Sequence, residues 1–181
     1  MLSRLRLKPK LLLGFGLWFM LLGIIFVIPL ASLDTNKPLT VDVFSALQQD
    51  RAIVFFGFTS CGDVCPASLI ILRRWRTAAD ESLSDDLPAI VFIDIDKNSS
   101  AADADQYAKS FDERFIGLHA DAHTLSQLSA DFGLNLTQSG DNIQHQGRTY
   151  IIEKRAQRWT LTTAVNPQGL TEEWLQQELN I

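Results

Sequence analysis

Between Leu11 and Leu33 the chain carries no charged residue, and a run of that length folds only where water need not solvate it. Leu11 to Leu30 is twenty residues; at about 1.5 Å per residue, a helix of that length crosses the roughly 30 Å hydrocarbon layer of a bilayer. Arg4, Arg6, Lys8 and Lys10 precede it with no acid among them, so the positive-inside bias keeps the N-terminus cytoplasmic and sends the remainder across. A cleaved signal peptide is the rival reading, but its apolar stretch is typically about 7–15 residues, and Pro29-Leu30-Ala31 is a poor cleavage site. A buried core helix fits less well, because the segment is terminal and apolar on every face. The expected layout is a basic leader over 1–10, a transmembrane anchor over 11–33, a linker over 34–39 and one domain over 40–181.

Charge narrows the partners. Removing the four basic leader residues from the 16 leaves 12 against 21 acidic residues, about −9 for the exported part. That balance excludes nucleic acid as the expected partner and tolerates cations or basic proteins. The domain has two cysteines, four apart, in a compartment that permits oxidation. They can form one disulfide or ligate one metal ion.

Along the domain, Thr40 is placed to cap a brief helix with Val43, Phe44 and Leu47 on one side. Ala52 to Phe58 is a continuous apolar run suited to a strand covered on both faces. Pro66 to Ala79 follows as a helix with Leu69, Leu72 and Trp75 or Arg76 inward, and Ala89 to Ile95 is a second buried strand. Ala101 to Phe111 reads as a helix, Arg114 to Leu118 as a short strand, and Thr124 to Phe132 as a helix stopped by Gly133. Thr149 to Glu153 and Trp159 to Thr163 form a predicted hairpin, and Thr171 to Leu179 a closing helix. The order βαβαβαββα predicts an α/β, thioredoxin-like fold: a mixed sheet flanked by helices, with one N-terminal transmembrane helix. Ligand sites in open sheets form beyond the carboxyl ends of strands, and Cys61 and Cys65 stand at the first such corner.

That corner carries the chemistry. Pro66 has no N–H and a fixed φ, so it suits the first turn of a helix and places Cys65 at the helix N-terminus. The positive end of the helix dipole is expected to favour the Cys65 thiolate. A bend through Gly62 brings the two cysteines within disulfide range, and the same geometry lets two sulfurs grip one ion. Two thiolates suit Cu(I), and an added imidazole makes a Cys₂His site able to hold copper in more than one oxidation state. His145 is the best placed, in the loop from Gly133 to Gly147 that leads to the Thr149 strand.

The segment Phe56-Gly57-Phe58-Thr59-Ser60-Cys61-Gly62-Asp63-Val64-Cys65-Pro66 resembles the Sco/SenC copper-assembly family, which also carries a histidine before a late strand where His145 falls. Asp94-Ile95-Asp96 is similar to the family's acidic motif, and Phe115-Ile116-Gly117-Leu118 to its next strand. The resemblance runs from about Arg51 to the C-terminus. It implies a domain anchored by one N-terminal helix on the outer side of a membrane, periplasm-like or in an intermembrane space. There Cys61, Cys65 and His145 would bind copper and act on the copper-centre subunit of cytochrome c oxidase, delivering the ion or keeping target cysteines reduced. The chain departs from the family in several places: Gly62 stands where many relatives have proline, Gln144 and Gln146 flank the histidine, and Lys97 replaces a proline. Asp34 to Asp50 is also too short and helix-like for the β-hairpin that usually precedes the first core strand.

Blander readings compete at each position. An inert disulfide constrains little chain in so tight a loop. His119 and His123 have the spacing of a helical metal pair but straddle a strand end and a helix start, which favours surface histidines. Asp63 is expected to cap the helix, Asp94 and Asp96 to meet water, and Trp75, Trp159 and Trp174 to belong to the core. Asn135-Leu136-Thr137 matches a glycosylation pattern in a setting nothing else supports. The functional alternative to copper assembly is a thiol–disulfide oxidoreductase using Cys61 and Cys65 on partner cysteines outside the cytoplasm. Against it, the chain has no proline between Pro88 and Pro167 to stand opposite the cysteines, and three residues rather than two separate them.

Overall fold

The computed structural model describes residues 18, 20, 35–82, 87–139, 142–144 and 146–180. Two compact units result, Met1–Asp34 and Thr35–Ile181. In the first, Trp18 and Met20 are helical and exposed. The rest of the predicted anchor lies outside the described residues, and no helix among those described is long and apolar enough to cross a membrane.

The second unit is built on β2, Arg51–Gly57, whose residues Ala52 to Phe56 are all apolar and all buried. A strand so apolar must be covered on both faces, and it lies inside a six-stranded mixed sheet. On one side β2 pairs in parallel with β3, Ala89–Asp94, which pairs in parallel with β4, Ile116–His119. On the other it pairs antiparallel with β7, Thr149–Arg155, followed by β8, Arg158–Val165, and by β1, Lys37–Pro38. The predicted hairpin of β7 and β8 is present and longer than read. It turns through Ala156 and Gln157, both at positive φ (48° and 67°), the twist a two-residue connection requires.

Alternation along β2 divides the core. Ile53 and Phe55 pack with Leu69, Leu72 and Trp75 of α1 (Val64–Ser82) and with Leu175 of α4 (Glu172–Leu179). Trp75 therefore takes the inward position, while Arg76 donates from Nη1 to the Pro88 carbonyl at 2.9 Å. Phe56, of opposite parity, meets Phe132 and Tyr150 edge-on at 5.0 and 5.6 Å between ring centroids. Phe132 belongs to α3, Ala122–Phe132, which starts at an Asp121 cap and stops at Gly133 in the left-handed region, φ 61°. The remaining helix, α2 (Ala101–Phe111), begins with a Ser100–Asp103 capping box.

Three expectations change. Residues 43–46 form turns rather than a helix, because Thr40 does not cap. The Thr40 hydroxyl and the amides of Thr40 and Val41 all donate to the buried Asp131 carboxylate, 91 residues away, at 2.7–3.1 Å. Lys37 and Pro38, inside the stretch read as linker, are part of the sheet. The loop after Gly133 contains a separate two-stranded ladder, β5 (Thr137–Ser139) with β6 (Asn142–Gln144). Otherwise the predicted order of elements and the mixed sheet flanked by helices are what is observed.

Candidate functional site

The corner between β2 and α1 is held by its backbone. The Cys61 amide donates to the Phe58 carbonyl at 3.0 Å, and the Asp63 carbonyl accepts from Ala67 at 3.3 Å, so Asp63 takes the residue position before the helix. Cys61 is half-buried, Cys65 is buried, both are free thiols, and their side chains are hydrogen-bonded to each other. Gly62 is not the glycine this arrangement needs: a Cβ there would meet nothing within 4 Å. Gly57 is. A Cβ on it would come within 2.9 Å of the Cys65 Sγ and of Phe92 Cε2, so the sulfur rests where a side chain would otherwise stand.

The electrostatics of Cys65 run opposite to the sequence expectation. Burial, followed by the hydrogen bond with Cys61, pushes its thiol well above the ordinary range, only partly offset by a backbone hydrogen bond from Phe58. The magnitudes explain why. A helix terminus stabilises a charge by about 0.3–1 kcal/mol, up to ~2, whereas full burial can shift a pKa by about 3–5 units at roughly 1.4 kcal/mol each. Cys65 is held as a thiol.

The row across the parallel strands supplies a feature the sequence reading missed. Gly57 is in register with Asp94, and Asp94 with His119, so the three positions share one face of the sheet with the Cys65 sulfur lying over the first. Asp94 is completely buried instead of solvated. Its Oδ1 accepts from the Asp96 amide at 2.9 Å, and its Oδ2 has no hydrogen-bond partner, nor does the buried Nδ1 of His119. Burial raises the Asp94 pKa, with the Asp96 amide, Ser99 and His119 opposing. His123 is exposed as expected, but His119 is not a surface histidine. Tyr107 of α2 leans on Phe92 and Phe111 at 5.0 and 5.3 Å, its hydroxyl pushed up to about 12 by burial and then by Cys65 and Cys61.

Asp94→Asn is expected to raise stability at pH 8 by about 1–3 kcal/mol, because it removes the charge that burial disfavours while its oxygen can still accept from the Asp96 amide. Because the folded pKa of Asp94 is raised, its contribution to stability is complete below the unfolded value near 3.9 and is lost as pH rises through the folded one. The gain from asparagine should therefore shrink toward pH 4. Urea denaturation at the two pH values checks it; equal stabilities at pH 8 would show that burial of the Asp94 charge costs nothing there.

His145 lies outside the described residues. The residues after it are placed. Gly147 is buried at φ +59°, and a Cβ on it would meet Val64 Cγ1 at 2.9 Å and Pro167 Cγ at 3.3 Å. The entry to β7 therefore packs on the residue next to Cys65. Among the described residues no three His, Cys, Asp or Glu side chains are grouped closely enough to hold a metal ion.

Residues 44–179 match the family described as SCO1/SenC. The chain belongs to the SCO1/SenC family. A SCO2-like protein of Rickettsia prowazekii is 30% identical over 136 residues, 70% of this chain and 63% of that protein, so the chain spans less than two thirds of the relative's length. The apo Sco1 protein of Thermus thermophilus, solved in solution, matches with a TM-score of 0.60 at 25% identity over 76% of this chain and 86% of that one. ScoI of Bradyrhizobium japonicum, solved with copper bound, matches with a TM-score of 0.60 at 24% identity over 75% and 87%, a likeness of fold. The SCO1/SenC match contains the cysteine corner, the Asp94–His119 row and the β6–β7 loop alike.

Proposed function

We propose that this chain is a copper-binding assembly factor for the copper centre of cytochrome c oxidase, holding copper through Cys61, Cys65 and His145. Residues 1–10 are its cytoplasmic leader and 11–33 its membrane anchor, with the domain on the outer side. The observation that carries the reading is the pair of free thiols in hydrogen-bond contact at a strand-to-helix corner, one of them half-exposed. Paired soft sulfurs are the donor set that selects Cu(I), and a third, imidazole donor extends it to Cu(II). Copper is cargo in this reading, and the half-exposed Cys61 is where an incoming ligand displaces the first sulfur. The packing of Gly147 on Val64 supports His145 as the third donor, since two residues of chain span at most about 7 Å. The copper-bound ScoI relative supports the cargo.

The test is equilibrium dialysis of the reduced full chain in neutral detergent against chelated Cu(I). One copper per chain is expected, with an affinity loss of at least about a hundredfold in Cys61→Ala or Cys65→Ala, each removing one of two soft donors. His145→Ala should spare Cu(I) and weaken Cu(II). Unchanged stoichiometry in both cysteine variants would remove the site.

One observation favours a second use of the same sulfurs: Cys61 is half-exposed and Cys65 buried, the division of labour of an attacking and a resolving cysteine. Cys61 thiolate attack on a partner disulfide would form a mixed disulfide and release one partner thiolate. Cys65 would then give its proton to the released partner thiolate and attack the Cys61 sulfur, releasing the second thiolate, so that the partner ends reduced and Cys61–Cys65 oxidised. A reduction potential near that of a dedicated reductant, about −270 mV, would move weight to this reading.

A further inference from the structure

A groove of about 550 Å³ opens beside the cysteine corner, within the roughly 300–1,000 Å³ of clefts that hold ligands. It is lined by Ser60, next to Cys61, by Asp96 and Ser99 from the loop after β3, and by Asp103, Gln106 and Tyr107 of α2. Ser110 continues the α2 wall, so positions 103, 106, 107 and 110 recur at helical spacing along about 10 Å of one face. Thr59 Oγ1 and Ser99 Oγ, 3.5 Å apart, tie the two loops together at the sulfur end. The Tyr107 ring, fixed by Phe92 and Phe111, is part of the groove's lining.

The chemistry of the lining excludes several occupants. It is made of hydroxyls, amides, one phenol and two carboxylates, with no lysine, arginine or histidine, which disfavours phosphates and other anions. It offers no apolar floor for a lipid chain beyond one tyrosine ring. The carboxylates are not poised as a metal site: Asp96 accepts from the Asn98 amide at 2.9 Å and Asp103 from the Ser100 amide at 2.9 Å, and no third ligand joins them among the described residues. Hydroxyls and amides at helical spacing do suit an extended main chain, and the 10 Å wall matches about three extended residues at roughly 3.3 Å each. The two carboxylates then call for a cationic side chain, as does the net charge of the exported part.

We propose that this groove receives an extended peptide segment bearing lysine or arginine, supplied by the protein with which Cys61 exchanges copper or a disulfide. The identity of that partner rests on the function proposed above; the groove itself does not. Ser60, the residue before Cys61, lines the same groove, so a segment bound there brings the partner's own ligands or thiols near the more exposed sulfur.

The test uses the reduced, copper-free full chain in neutral detergent at low salt, with fluorescein-labelled peptides read by anisotropy. One peptide has the sequence Ser-Lys-Gly-Lys-Ser with blocked ends, the other glutamine in place of both lysines. The lysine peptide should bind at least tenfold more tightly. Gln106→Lys and Ser110→Lys, both at exposed positions of α2, should each weaken it about tenfold. Ser126→Lys, which adds the same charge on α3, should leave it within twofold. Equal affinity for the two peptides, no binding of the lysine peptide, or an effect of Ser126→Lys as large as that of Gln106→Lys would overturn the proposal. The Cys61→Ala/Cys65→Ala double variant should bind the lysine peptide as the unaltered chain does, so loss of the copper site and loss of the groove read out separately.

Discussion

Gly117→Ala is expected to cost about 3–5 kcal/mol, a large share of the roughly 5–15 kcal/mol that holds a domain of ordinary stability together. Gly117 sits in the middle of β4, and a Cβ there would lie 2.1 Å from the Ala104 carbonyl oxygen, 2.3 Å from its carbon and 2.5 Å from the Asp105 Cα. All three are backbone atoms of α2, so no side chain can rotate aside and the helix itself must move. Overpacking typically costs about 1–3 kcal/mol when side chains can adjust; here the closest approach is to a helix whose Ala104 and Ala108 are fully buried against the sheet. Moving α2 also moves Tyr107 away from Phe92 and the sulfurs, so any folded remnant should show a changed tyrosine environment. Gly62→Ala is the control. It lies in the cysteine turn itself, yet has open space around its Cβ position, and should change the urea midpoint by no more than about 0.5 kcal/mol. A Gly117→Ala protein as stable as the control would mean that α2 does not rest on β4 as closely as described.

The contrast between those two glycines separates what was legible in the sequence from what was not. Apolar runs read correctly because burial on both faces leaves a compositional mark: Ala52 to Phe58 and Ala89 to Ile95 cover the two central strands except for Arg51, and the Leu69, Leu72, Trp75 spacing gives the buried face of α1. The cysteine corner read correctly because Pro66 fixes where the helix can begin. Gly62 attracted attention as part of the motif, but the demand for glycine arises at Gly57 and Gly117, where distant backbone or sulfur comes close, and no local pattern records that. Thr40 looked like a cap because its true partner, Asp131, is 91 residues away. Asp94 was legible in principle. It ends a run of apolar residues, Ala89 to Ile93, that is buried on both faces, so its place in the strand points to the core whichever face it takes. The direction of the Cys65 pKa required knowing its depth, which a helix-terminus argument does not contain.

With the copper site proposed above, capture by the full chain should strengthen about tenfold per pH unit between pH 6 and 8 for each proton the metal displaces, roughly a hundredfold across that window for one. The sign follows from Cys65. Its folded pKa is raised, chiefly by burial and then by the hydrogen bond with Cys61, so throughout this range the free protein holds it as a thiol and copper must expel that proton to bond the sulfur. Had the helix terminus prevailed, Cys65 would be partly thiolate in the upper half of this window and its share of the pH dependence would flatten there. The same raised pKa makes the thiol form part of the fold: the stability it contributes is complete below the ordinary thiol value near 8.5 and declines as pH rises beyond it. Alkaline conditions therefore favour the metal-bound corner while weakening the empty one, which makes copper a larger stabiliser of the folded domain at pH 9 than at pH 6. Competition with a Cu(I) chelator, corrected for the chelator's own protonation, measures the slope. A flat profile, or an identical slope in Cys65→Ala, would show that the buried sulfur takes no part in holding the ion.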